Sequence, residues 1–143
     1  MELVIKHGDV HDPLYQECLE LRYEVLRKPL GLEITDEERE ADMDAVHVIA
    51  YVDGQVAGTV ALCRERLRQM AVLERFQGRG IGAQLVRYLE AIAKERGQHA
   101  LGLDARCSAI PFYEKLGYHC CSDMYEKIGI LHRNMIKALY YGA

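Results

Sequence analysis

The first apolar cluster, Glu2–His7 (ELVIKH), has the short, β-branched character of a strand. Asp12-Pro13 then starts a helix: the aspartate caps it, and proline at the first helical position gives up only an N–H that lacks a partner there. Leu14, Cys18, Leu21 and Val25 recur at helical spacing as its buried stripe, and Pro29 and Gly31 end the region. Residues 31–45 (GLEITDEEREADMDA) are acidic, with one short helix after Thr35 or Asp36. That helix reads either as a solvated surface or as a flap over the substrate side. His47–Val52, Asp53-Gly54 and Gln55–Glu65 predict a hairpin, because Asp-Gly suits a type I′ turn whose two central residues need φ > 0. Gly58 within the second strand marks a bulge or a close approach. Arg66–Val72 is the next strand. A long helix follows over Gly80–Arg96, with Ile81, Leu85, Leu89, Ile92 and Arg96 on one stripe and Gly97 just past its end. Ala100–Asp104 is a strand, parallel to its predecessor through a right-handed crossover. Ser108 is expected to cap a short helix that ends at Gly117, with Pro111 in its first turn. Tyr118–Ser122 and Leu131–Leu139 are final strands around an irregular stretch, 123–129. The order β-α-(α)-β-β-β-α-β-α-β-β predicts an α/β chain: one mixed sheet with helices on both faces.

Composition narrows the function classes. A chain of 143 residues suits a single domain, 1–143, and half of its residues are hydrophobic with 28% charged, as in a soluble globular protein. The net charge of −4 argues against nucleic acid as a partner. No apolar run nears the roughly 20 residues that a membrane span needs. Met1-Glu2-Leu3 begins acidic and runs straight into a strand, so no leader is expected and the location reads as cytoplasmic. The five cysteines (18, 63, 107, 120, 121) form no C-x-x-C and are expected to be reduced, buried thiols. Cys120 and Cys121, adjacent on a strand, would point to opposite faces and make a poor chelate, so no structural metal is expected.

The stretch with the most chemical content runs from Leu67 to Gly82. The apolar Met70-Ala71-Val72 leads into Gln77-Gly78-Arg79-Gly80-Ile81-Gly82, and the long helix begins at once. A glycine loop at a helix N-terminus gathers unpaired N–H groups and about half a positive charge, which suits phosphate or pyrophosphate. Two readings fit. One is the dinucleotide fingerprint G-x-G-x-x-G/A, here Gly78-x-Gly80-x-x-Ala83, with Asp104 as the ribose carboxylate. Against it, Leu73–Phe76 separate strand from glycine, and too little chain follows Asp104 to finish a doubly wound sheet. The other is the pyrophosphate loop Q/R-x-x-G-x-G/A, which Gln77–Gly82 matches in full.

Together with the LRQMAV strand before the loop and Ala109-Ile110-Pro111-Phe112-Tyr113-Glu114-Lys115-Leu116-Gly117-Tyr118 after it, the chain resembles the GNAT superfamily of acetyl-CoA-dependent N-acetyltransferases, small bacterial members in particular. The resemblance covers residues 67–118. It implies the GNAT acyl-CoA N-acyltransferase fold and acetyl-CoA as co-substrate. In that family the loop amides, Gln77–Gly82, hold the pyrophosphate, with Arg75 and Arg79 able to add charge. Exposed backbone at Met70, Ala71 and Val72, splayed from the next strand, aligns the pantetheine arm. The N–H of Val72 or its neighbour serves the oxyanion. Tyr113 is the family's general acid, protonated at neutral pH because tyrosine titrates near 10; packing of the short helix is the plainer role for it.

One departure stands out. Many members carry glutamate where this chain has Arg68, and a guanidinium cannot take the proton of the incoming ammonium. That leaves a relay through water, His47, His132, Glu74, or no base at all. Arg68 and Arg22, if both face the cleft, would favour an acidic group on the acceptor. The alternative is a surface Arg22 and an Arg68 paired with a carboxylate. His132 lies in Gly129-Ile130-Leu131-His132, which resembles a G-I-x-H stretch of a small bacterial subgroup and makes it a cleft candidate or a plain strand residue. The leading function is acetyl transfer to a primary amine, on a small molecule or a protein. A non-catalytic acyl-CoA-binding module and a nicotinamide oxidoreductase are the alternatives, and a homodimer paired through an exposed final strand is left open.

Overall fold

The computed structural model describes residues 1–139. From the N-terminus come β1 (Leu3–Gly8) and α1 (Leu14–Arg22), which runs on into a π-helical turn (Tyr23–Arg27) and a 3-10 turn (Lys28–Leu30). Next are α2 (Asp36–Asp42), β2 (Ala45–Val52), β3 (Gln55–Cys63), β4 (Arg66–Val72) and α3 (Ile81–Glu95). The remainder is β5 (Ala100–Arg106), α4 (Ile110–Lys115), β6 (His119–Cys120), β7 (Tyr125–Lys127) and β8 (Ile130–Ala138). Among the described residues the strands form one mixed sheet in the order β1-β2-β3-β4-β5-β8-β6, with β7 also on β8. Only β4 and β5 are parallel. The expected mixed α/β architecture is therefore the one observed. A doubly wound parallel sheet is not, and the dinucleotide-fold reading falls with it.

Side-chain alternation explains the two layers of helices. Val48, Ala50, Val60 and Leu62 face α3, where Ile81, Leu85 and Leu89 supply the apolar stripe; burying each leucine contributes about 2 kcal/mol. Ile49 points the other way and meets Leu14 and Cys18 of α1. Val25 falls in the π turn rather than α1 and is only half-buried. Asp12 accepts from Leu14 N–H at 3.0 Å, and Thr35 Oγ1 caps α2 by accepting from Glu38 N–H at 3.1 Å. Asp53 and Gly54 take φ of 49° and 81°, as their hairpin turn demands.

Several local expectations are corrected. Ser108 sits in a 3-10 turn, one residue before the α4 cap position, Ala109. The stretch after β6 is not irregular throughout: Tyr125–Lys127 pairs with β8 around Ile128-Gly129, both at positive φ. Isoleucine rarely accepts that conformation, which hid the turn. Strand β8 lies inside the sheet, between β5 and the β6/β7 pair, so it offers no edge for a second copy. Of the cysteines only Cys18 is fully buried, and Cys121 is exposed.

Arg22 and His47 also lie elsewhere than expected. Arg22 is on the buried side of α1, one turn past Cys18, at 1% exposure. Its Nη1 donates to Asp42 Oδ2 at 2.9 Å, and the Tyr15 hydroxyl donates to the same oxygen at 2.7 Å. His47, equally buried, packs its ring against Tyr15 at a tilt, with centroids 4.7 Å apart, and donates Nε2–H to the Asp42 carbonyl at 3.0 Å. These groups clamp α2 onto α1 and β2. Burial pushes the His47 pKa below its ordinary 6.5, outweighing the nearby Asp42 carbonyl. A base depressed in the folded state binds fewer protons folded than unfolded. Its contribution is complete above the ordinary 6.5 and is lost progressively as pH falls from there through the lower folded-state value. The melting temperature should therefore drop between about pH 7 and pH 5, and His47→Gln should flatten that slope whatever it does to the plateau. An unchanged slope would show that His47 is not the group responsible.

Candidate acyl-CoA cleft

The site begins where two parallel strands part. Arg66 pairs with Gly102, and Gly102 N–H donates to Glu65 O at 3.0 Å. Past that rung β4 has no partner on β5 among the described residues. The cause lies in β4 itself. Thr59 faces Ala71 and Ala61 faces Arg68, so two residues, Gln69 and Met70, oppose Val60 alone. This is a β-bulge, and Gln69 takes φ of 57° to make it. Gly58 accommodates the kink: a Cβ there would lie 2.9 Å from Leu85 Cδ1 and 3.2 Å from Ala71 O.

The parting opens a cleft of about 580 Å³. Arg68, Gln69 and Met70 of β4 form one wall, with Asp104 and Arg106 of β5 opposite. Phe112 and Tyr113 of α4 close one end, and His132 of β8 lines the floor. Leu26 and Arg27 from the π turn, with Glu37 and Glu38 of α2, lie across from the sheet. The acidic segment that read as either surface or flap thus contributes cleft lining.

At the other end of β4 the loop turns into α3. Gly78 and Gly80 have φ of 76° and 80°, and nothing stands within 4 Å of where their Cβ atoms would be. Gln77 Nε2 donates to Val72 O at 3.0 Å and ties the loop to the strand end. The first helical hydrogen bond is Gln84 N–H to Gly80 O at 3.1 Å, so the N–H groups of residues 78–83 keep their donors for something else. The guanidinium groups of Arg75 and Arg79 lie 4.8 Å and 5.5 Å from the Phe76 ring centre, adding cations beside the loop. This donor set fits a pyrophosphate. Next to it, a Cβ on Gly82 would come within 3.1 Å of Phe112, so glycine lets α4 close on the loop.

Tyr113 is 6% exposed, edge-on to Phe112 and Tyr118 with centroids at 4.9 Å and 5.9 Å. Burial raises its pKa well above 10, so it stays a donor across the working pH range. Met70 and Val72 pack partly into the core, and Ala71 is buried. Arg68 is half-buried and makes no ion pair or hydrogen bond among the described residues. His132 Nδ1 donates to Ile130 O at 2.8 Å, which leaves its Nε2 as the acceptor nitrogen, and its ring stacks on Tyr125 at 6.0 Å. Glu74 and His47 do not line the cleft.

Sequence reasoning did not find the charge cluster on the exposed side of β5. Asp104 accepts from the Tyr125 hydroxyl and from Lys127 Nζ at 3.3 Å, and pairs with Arg66 at 3.4 Å. Burial would raise its pKa, but these three partners outweigh it and hold the carboxyl below 3.8. The signal was present in ALGLDAR: Leu101, Leu103 and Ala105 are buried, so Asp104 and Arg106 share the opposite, cleft-facing side. Asp104 is thus engaged within the sheet rather than held out for a ribose.

Comparison with known proteins agrees with this geometry. Residues 19–139 match the family model for the acetyltransferase (GNAT) domain. A Bacillus subtilis (strain 168) protein assigned to the acetyltransferases by name is 34% identical over 127 residues, covering 84% of this chain and 86% of that one. An acyl-CoA N-acyltransferase structure from Pseudomonas aeruginosa superposes with a TM-score of 0.81 at 23% identity, over 96% of this chain and all of that one. An aminoglycoside 6′-N-acetyltransferase solved with coenzyme A gives 0.77 at 19% identity, over 98% and 99%. These two likenesses establish the fold. The family match over most of the length and the Bacillus relative go further: the chain belongs to the GNAT acetyltransferase family.

Proposed function

We propose that this protein transfers an acetyl group from acetyl-CoA directly to a primary amine. The observation that carries the reading is the parting of β4 from β5 beside a glycine loop with unspent N–H donors, with a buried tyrosine lining the gap. Acetyl-CoA supplies an activated thioester carbonyl and a sulfur leaving group; the chain's residues bind, orient and hold protons around it. The N–H groups of Gly78–Gly82 hold the pyrophosphate, helped by Arg75 and Arg79; Gln77 drops out of the expected amide set, because its N–H is already given to Glu74 O at 3.1 Å. The unpaired edge of β4 at Met70–Val72 takes the amide-bearing arm by strand-like hydrogen bonding. Leu73 N–H already donates to Ala57 O on β3 at 2.9 Å. Alternation along an extended backbone then turns Val72 N–H toward the gap, where it serves as the oxyanion donor.

Tyr113 keeps its proton at Oη for the departing sulfur. On the acceptor side, Arg68 cannot serve as base. His132 is the base of choice, because Nδ1 is committed to Ile130 and Nε2 keeps a lone pair in the cleft.

Acetyl-CoA should bind at micromolar dissociation constant, about −8 kcal/mol, in a calorimetric titration where NAD and NADP give no heat. Binding of NAD without acetyl-CoA would overturn the reading. Tyr113→Phe should cut kcat by about a hundredfold or more while leaving acetyl-CoA affinity and melting temperature near those of the parent. A near-normal kcat would remove Tyr113 from the chemistry. Binding by the parent protein with no turnover of any amine would favour a non-catalytic acyl-CoA module.

A further inference from the structure

The cleft's ion pairs do not balance. Of the cations that line it, Arg27 donates Nε–H to Glu38 Oε1 at 3.1 Å, and Lys127 shares Asp104 with Arg66, which is not part of the lining. That accounts for each of these cations. Two more line the same cleft. Among the described residues Arg68 has no carboxylate partner, and Arg106 has only the Leu26 carbonyl, at 3.4 Å from its Nη2. The same carbonyl accepts from Arg27 Nη1 at 3.1 Å, so Arg106 sits beside a second guanidinium rather than a carboxylate. Both arginines are half-buried, and arginine does not shed its proton. Burial first, and the Arg27 charge second, push the Arg106 pKa below the usual guanidinium range, the direction expected of a cation short of counter-charge.

Register shows that the placement follows from the fold. Arg106 faces His132 across the β5–β8 ladder, and Asp104 faces Asn134. Residues directly opposite share a face, so Arg106 and His132 emerge together. Arg68 comes to the cleft from the far wall, just before the bulge at Gln69. Two guanidinium groups with no carboxylate partner among the described residues therefore line the same cleft as the histidine whose second ring nitrogen accepts. Glu37, the remaining acidic group of the lining, is exposed.

We infer that the acceptor is a small amine that also carries a carboxylate, in the manner of an amino acid, and that Arg68 and Arg106 hold that carboxylate. This rests on the transferase reading for the amine, but the carboxylate preference is a binding property and can be read without turnover. Arginine suits the task because its planar fork meets both carboxylate oxygens at once. The cleft of about 580 Å³ has room for such a molecule beside the end of a pantetheine arm.

The test uses the intact chain with CoA present. β-Alanine, 4-aminobutanoate and glutamate are titrated against their amides by calorimetry. The free acids should bind about ten- to a hundredfold tighter than the amides. Arg68→Gln and Arg106→Gln should each remove most of that ratio and leave amide affinity unchanged, and Arg106→Lys should keep part of it. Arg68 touches no partner, so Arg68→Gln decides the matter if Arg106→Gln fails to fold. Equal binding of acids and amides, tighter binding of a polycation such as spermidine, or binding of neither series overturns the inference. Thiol release from acetyl-CoA with the same panel reads the chemistry separately. Selective binding without turnover would leave the carboxylate site standing and sink the transferase. Turnover with equal kcat/KM for amides and acids would do the reverse.

Discussion

The structure turns on a single unmade ladder. After one rung, Arg66 to Gly102, strands β4 and β5 separate, and a half-width of sheet is left without the hydrogen bonds that normally hold it. Each missing rung forgoes about 1 kcal/mol, and a dry gap would cost more, because buried backbone groups without partners are expensive. The protein tolerates this because the rest of the sheet is anchored independently. Strands β1 to β4 form a continuous antiparallel unit over α3, and β5 with β8 forms a second. The wedge between them is set by a left-handed residue, Gln69, and by the tight fit of Gly58 against Leu85. A strained backbone at a place where strands should pair is the kind of local cost that persists where the surroundings enforce it.

Once the strands part, charge has to be managed on the exposed faces. Asp104 collects Tyr125, Lys127 and Arg66, and Asn134 Oδ1 takes a further bond from Arg66 Nη2 at 2.8 Å. The π-helical turn at Tyr23–Arg27 serves the same end from the other side. The helix ends there, and the Leu26 carbonyl, among its last, accepts from the Arg27 and Arg106 guanidinium groups. Deeper in, Arg22, Asp42, Tyr15 and His47 pin α2 beside this turn, so the acidic helix is held against the opening.

Much of this was legible in the sequence because the relevant signals are local. The stripe Ile81, Leu85, Leu89 gave α3, Asp53-Gly54 gave the hairpin, and Gln77–Gly82 with PFYEKLGY gave the family. The misreadings have physical causes. By charge alone Arg22 and His47 read as cleft or surface residues, yet Arg22 is spaced from Cys18 to fall on the buried stripe and His47 lies on a buried strand. The β7–β8 turn was missed because an isoleucine occupies a conformation that usually calls for glycine or asparagine. The bulge at Gln69 and the π turn have no local signature, since both arise from how distant strands and helices are forced to meet. Arg106 could have been found from alternation along ALGLDAR, had that strand been read by face.

The outer margin of the sheet has a consequence for how the chain behaves in company. Beyond β8, among the described residues, there is no long strand but two fragments, His119–Cys120 and Tyr125–Lys127, separated by a break. A strand edge invites a neighbour's backbone in proportion to its uninterrupted length, and fragments of two and three residues present almost none. At the opposite margin β1 runs for six residues, with Lys6 and His7 exposed along it. One side is broken up by fragmentation, and on the other exposed Lys6 and His7 stand beside an exposed Val4. A fold that keeps an unpaired strand edge in its centre thus has only short or charge-bearing ones at its rim.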